Sequence, residues 1–99
     1  MPSQSKGIET RDEGEEVKIA SPKTLIAEER KCQILQWGGA EHDDTHNAPE
    51  WISFIQKQLR KAYEARTEDE YQRRMVKINA LSLSALESLD RIRKRRGRQ

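Results

Sequence analysis

From Tyr71 onward the chain carries a seam that most limits what it can fold into. Tyr71, Met75, Ile78, Ser82, Ala85, Leu89 and Ile92 alternate spacings of four and three residues. That is a seven-residue repeat, the pattern of one helix packing along another. Leu81 and Leu86 widen the seam, and Ser82, Ser84 and Ala85 are small enough to admit a neighbouring helix closely. Thr67 followed by Glu70 has the form of a capping box and opens this helix, which is expected to run from Glu68 to Arg95. About 28 residues of helix span about 40 Å, against a radius of gyration near ~13 Å for a compact chain of this length. The helix is too long to be covered by its own chain, so the seam is expected to continue into a partner copy.

Two shorter helices are expected before it. Ser21-Pro22 reads as an N-cap with proline at the first helical position, and Gly38-Gly39 as a stop, giving a helix from Pro22 to Trp37. Its core stripe is expected at Leu25, Ala27 or Glu28, Cys32 and Leu35, with Ile34 beside it. Pro49 starts a second helix to about Ala65, with Ile52, Ile55, Leu59 and Ala62 on one face. Between them, residues 38–48 read as a polar loop. No strand pattern is present. The fold class is all-α: a bundle of about three helices, completed by oligomerisation as a dimer or higher. Residues 1–20 hold few apolar side chains and an acidic cluster, and are expected to form a disordered leader. The helical domain is set at 21–95 and a basic tail end at 96–99.

Composition narrows the function classes. Of 99 residues, 33% are apolar and 36% charged, so only a thin core is possible. No apolar run nears the ~18 residues needed to cross a bilayer, so no membrane partner is expected. Met1 to Val17 lacks the apolar stretch of a secretory signal. A single cysteine, Cys32, cannot form an intramolecular disulfide, which fits a reducing, cytoplasmic setting; mid-helix, it reads as a buried thiol. Charge is uneven: residues 1–50 sum to -5 and residues 51–99 to +7. Arg91, Arg93, Lys94, Arg95, Arg96 and Arg98 crowd the end of the chain. They suit a nucleic-acid contact, or simply a solvated helix end whose cations offset the helix dipole.

Two further groups carry chemistry. His42, Asp43, Asp44 and His46 are metal-ligand types within one loop, although Asp43 and Asp44 equally suit turn backbones. Trp37 and Trp51 flank that loop and can either wall a base or fill the core.

The order of features resembles a known family. Glu29-Arg-Lys-Cys-Gln-Ile-Leu-Gln-Trp-Gly38, Glu41-His-Asp-Asp-Thr-His46, Met75-Val-Lys-Ile-Asn-Ala80 and Ala85-Leu-Glu-Ser-Leu-Asp-Arg91 occur in sequence. They are similar to the "ER-x-RQ-x-x-x-W" helix, "EHDD-x-H" loop and "E-x-LDR" helix of small MazG-like proteins of phages and prophages. Those belong to the all-α nucleoside triphosphate pyrophosphohydrolase superfamily. The likeness covers about residues 28–91. It implies a helical dimer or tetramer and Mg²⁺-dependent cleavage of a (d)NTP to monophosphate and pyrophosphate.

The departures from that pattern reverse its charge. The superfamily places E-E-x-x-E on one helix and E-x-x-D on the next, to hold Mg²⁺. Alignment through Ile55, Leu59 and Met75 puts Lys57, Gln58 and Lys61 at the first motif, with Arg74 and Lys77 at the second. The expectation is therefore a pseudoenzyme-like relative with a lost or altered metal site. It would bind a nucleotide or other polyanion through Lys57, Lys61, Arg74 and Lys77 without turnover, in the host cytoplasm if the source is a phage. One alternative is an active pyrophosphohydrolase using Glu41, Asp43 and Asp44, or Glu28-Glu29 with Glu87 and Asp90; Mg²⁺ is a cofactor only then. The other is a nucleic-acid-binding accessory protein using the basic tail.

Overall fold

A computed structural model of the chain describes residues 20–97. Its elements, in order, are α1 (Pro22–Trp37), α2 (Ala40–Asp43), α3 (Ala48–Tyr63) and α4 (Glu68–Gly97). The described residues contain helices and no strand, so the all-α expectation stands. The expectation for a disordered leader falls on residues outside those described.

The starts and stops follow local chemistry. Ser21 Oγ accepts the Thr24 N–H at 3.2 Å, and Pro22 occupies the first turn of α1. Gly38 ends α1 with φ 108°, a conformation open to glycine, while its N–H still reaches the Ile34 carbonyl at 2.9 Å. At α3, Asn47 Oδ1 accepts the Glu50 N–H at 2.9 Å and Glu50 Oε1 accepts the Asn47 N–H at 2.8 Å. At α4, Thr67 Oγ1 accepts the Glu70 N–H at 3.0 Å, but the Glu70 carboxylate takes the Arg66 N–H at 3.2 Å.

α4 is the spine. α3 packs along it most extensively, α1 second, and α2 touches it. The α3–α4 connection is short, which returns α3 and α4 as an antiparallel hairpin. The stripe of α4 that the other helices cover is small: Ala80, Ser84 and Ser88 are buried. Small side chains bring helix axes close, and the Ser84 hydroxyl is satisfied by donating to the Ala80 carbonyl at 2.9 Å. Trp51 and Ala80 are the buried apolar side chains among the described residues. Ion pairs supplement this thin core: Arg30 meets Glu87 at 2.6 Å and Lys77 meets Glu29 at 3.0 Å, each tying α1 to α4.

Several expectations are corrected. Ala40–Asp43 forms one turn of helix inside the expected loop. α3 ends at Tyr63, and α4 continues to Gly97, so the tail end begun at residue 96 is still helical there. On α1, Leu35 is 87% exposed and Cys32 is exposed rather than buried. The face turned inward carries Ile26, Glu29, Arg30 and Gln33 instead. Ile52 and Leu59 on α3 are half exposed. The molecule is long, 59 × 30 × 20 Å, with a radius of gyration of 17.6 Å. Among the described residues, no helix is long and apolar enough to cross a membrane.

Candidate functional site

α1 and α3 both lean on α4, and a cleft of about 590 Å³ opens between them. Its walls come from regular helical spacing. On α3, Phe54, Lys57, Gln58 and Lys61 stand at i, i+3, i+4 and i+7. On α4, Arg74, Lys77, Leu81 and Ser84 form the facing stripe. α1 contributes Glu29, Arg30, Gln33 and Trp37, and the α1–α3 segment closes one end with His42, Asp43 and His46. The four cations expected to hold phosphate, Lys57, Lys61, Arg74 and Lys77, all line this one cleft.

Their surroundings differ. Lys77 Nζ is held by Glu29 Oε2 at 3.0 Å, and the same oxygen accepts from Gln33 Nε2 at 3.2 Å. Arg74 Nη1 donates to Gln58 Oε1 at 3.3 Å. Arg74 Nε is buried without a hydrogen-bond partner. No carboxylate among the described residues pairs with Lys57, Lys61 or Arg74. The cleft lining therefore carries net positive charge: Arg30, Lys57, Lys61, Arg74 and Lys77 against the carboxylates of Glu29 and Asp43.

The opposite end is aromatic. The His46 ring sits edge-on to His42 at 4.9 Å, to Phe54 at 5.0 Å and to Trp51 at 5.2 Å. Trp51 is locked in this cluster, so it offers little open ring face. Trp37 is 60% exposed at the cleft wall, with its ring open to solvent. The two tryptophans thus take different roles: Trp51 in the core, Trp37 in the open.

The metal set does not assemble. Among the described residues no group of three His, Cys, Asp or Glu side chains is placed to hold a metal ion. Asp43 faces the cleft, but Asp44 turns to α4. It accepts from Ser88 Oγ at 2.7 Å, from Arg91 Nη2 at 2.8 Å and from Arg95 Nη2 at 3.2 Å. The Arg91 hydrogen bond, then that of Ser88, holds the Asp44 carboxyl well below the usual carboxylate range, against the opposing effect of burial. Asp44 in turn raises Arg91 above the usual arginine range.

The alternative carboxylate set is also divided. Glu87 pairs with Arg30, Asp90 with Lys94 at 3.0 Å, Glu29 with Lys77, and Glu28 is exposed. Of the basic tail, Arg91 and Arg95 are spent on Asp44 and Lys94 on Asp90. Arg93 and Arg96 remain exposed, and Arg98 lies outside the described residues.

The Glu29–Lys77 and Asp44–Arg91 pairs were not legible in the sequence. The one available signal was the spacing of Ile26, Arg30 and Trp37, and of Glu29, Gln33 and Trp37, along one side of α1. Comparison with known protein families, curated proteins and solved structures returns no match.

Proposed function

We propose that the cleft binds a polyphosphate-bearing anion, a nucleotide, without cutting it. The observation that carries this reading is the convergence of Lys57, Lys61, Arg74 and Lys77 on one cleft. Phosphate oxygens accept from the two lysine ammoniums of α3. The Arg74 guanidinium offers planar, charge-assisted hydrogen bonds. Lys77 joins when a phosphate competes with Glu29. The base lies toward Trp37 and the histidines, where an open aromatic face is available.

The MazG-like resemblance supports the same reading. The positions at which that superfamily holds Mg²⁺ with carboxylates correspond to Lys57, Gln58, Lys61, Arg74 and Lys77, all lining the cleft. Side-chain cations there neutralise phosphate charge in place of metal ions. They supply no ligand set to fix a metal and no carboxylate to orient an attacking water. The protein works, on this reading, in the cytoplasm, where nucleotides are held.

The test is isothermal titration with a nucleoside triphosphate, the monophosphate and the free nucleoside, beside a turnover assay with Mg²⁺ or Mn²⁺. The expected order is triphosphate over monophosphate over nucleoside, with loss of at least about tenfold in Lys57→Glu or Lys61→Glu, and no product. Metal-dependent release of pyrophosphate overturns the non-catalytic reading. Equal binding by the lysine variants overturns the cleft as the site.

A further inference from the structure

Asp43 is the charged cleft residue that the phosphate reading leaves unused. It lies in α2, at the end of the cleft where His42 and His46 stand. Among the described residues its carboxylate forms no ion pair. Arg91, the cation whose pKa Asp43 helps to raise, is held by Asp44 at 2.8 Å. Asp44 also takes Ser88 and Arg95, and so anchors the segment that carries Asp43. Trp37 stands at the same end, since the next residue, Gly38, lies close against the His42 side chain.

The cations stand toward the other end. Along α4, Arg74 lies ten residues before Ser84, about 15 Å. Ser88, one turn further on, is the residue that bonds Asp44. Along α3, Lys61 lies seven residues, about 10 Å, from Phe54, and the Phe54 ring meets His46 at 5.0 Å. A ligand lying along the cleft therefore presents its anionic part to Lys61, Arg74 and Lys77. Its other end meets a carboxylate and an open indole.

We infer that Asp43 selects guanine as the base of the bound nucleotide, its two oxygens accepting from the N1–H and from the N2 amino group. The inference rests on the reading of the cleft as a nucleotide site. An ionised carboxylate can only accept hydrogen bonds. Guanine is the common base whose pairing edge carries two adjacent donors. Adenine and cytosine offer one amino group beside a ring-nitrogen lone pair, and uracil one N–H between two carbonyls. Each of these sets a lone pair against the carboxylate. Two parallel charge-assisted bonds fix both strength and direction. The exposed Trp37 ring offers the purine a face to stack on.

The experiment is isothermal titration of the full chain, without divalent metal. The ligands are inorganic triphosphate, GTP, ATP, inosine triphosphate and xanthosine triphosphate. Inorganic triphosphate reads the cationic end, and the ratio of GTP to ATP affinity reads Asp43. GTP is expected to bind about tenfold or more tighter than ATP. Inosine triphosphate, which lacks the N2 amino group, falls between them. These three are compared on the wild-type chain, so the test stands even where a variant fails to fold. Asp43→Ala removes the preference for GTP over ATP. Asp43→Asn shifts it to xanthosine triphosphate, because the amide donates to the carbonyl at position 2 and still accepts from N1–H. A structural role for Asp43 would weaken every nucleotide alike and give no such exchange. Equal affinity of the wild type for GTP and ATP, with inorganic triphosphate bound, overturns the base assignment and leaves the phosphate reading standing. Failure of inorganic triphosphate and of every nucleotide to bind overturns the phosphate reading, and this inference with it. A preference for GTP that persists in a folded Asp43→Ala chain places the selecting group elsewhere and also overturns it.

Discussion

Asp44 and Arg91, 47 residues apart in the chain, meet at 2.8 Å and hold the α1–α3 segment against the C-terminal half of α4. Ser88 and Arg95 complete the clamp from the same helix. One carboxylate thereby sets where His42, Asp43 and His46 close the cleft.

Asp44→Asn is expected to cost about 1–2 kcal/mol at neutral pH, a charge-assisted pair discounted because Arg91 and Arg95 are partly solvated. Folding lowers the Asp44 pKa. Its contribution is therefore present above the usual carboxylate range and lost as pH falls below it. Urea unfolding at neutral and acid pH checks this: the difference between wild type and variant should shrink in acid. Equal stability at neutral pH would mean that the clamp contributes nothing.

Glu29 is bound to Lys77 at 3.0 Å and, on the proposed reading, competes with the ligand's phosphate for it. Glu29→Gln keeps the shape and removes the counter-charge, so phosphate affinity of the cleft should rise about three- to tenfold at low salt. Adding Lys77→Ala should abolish that gain. Titration of inorganic triphosphate into the single and double variants reads both effects.

Gly38 combines a φ of 108° with a crowded side: an added Cβ would meet His42 Cβ at 3.0 Å. Gly38→Ala should destabilise by about 1–2 kcal/mol and disturb the edge-on contact of His42 with His46. Gly39→Ala is the control, since its Cβ would approach only Ile34 Cγ2, at 4.0 Å. Thermal melts of the two variants should therefore separate clearly.

Ala80 is fully buried in the covered stripe of α4. Ala80→Leu should cost about 1–3 kcal/mol by forcing α1 or α3 outward. Leu35→Ala, on a side chain left in solvent, should stay within about 0.5 kcal/mol. Denaturant midpoints measured side by side test the contrast.

Helix boundaries were the most legible feature because they are local. Ser21, Pro22, Gly38, Thr67 and Glu70 act within a turn of their own positions, and α1 appears over the span they predict. The single turn at Ala40–Asp43 escaped because four residues carry no periodicity. The facing of each helix was much less legible. Cys32 and Leu35 have the hydropathy of a core stripe, yet they are exposed, while Leu25, Ile26, Glu29, Arg30 and Gln33 are the partly covered side chains of α1. The Arg30–Glu87 and Glu29–Lys77 pairs accompany that facing, and each joins side chains that sequence spacing cannot bring together.

The candidate site divides along the same line. Lys57 and Lys61 share a face of α3, and Arg74 and Lys77 share a face of α4, because helical periodicity sets which side chains are neighbours. That much belongs to the sequence alone, as do the all-α class, the caps and the seven-residue repeat from Tyr71 to Ile92. That the two cationic faces meet across a cleft, that Asp44 leaves the histidines for Arg91, and that Tyr71 and Leu89 of the seam stay exposed were decided by tertiary packing. Ala80, Ser84 and Ser88 let α1 and α3 approach closely enough to cover their stripe of α4, and the larger apolar side chains were left on the outer face. Hydropathy orders residues by their preference for burial, but steric fit between helices determines which are buried.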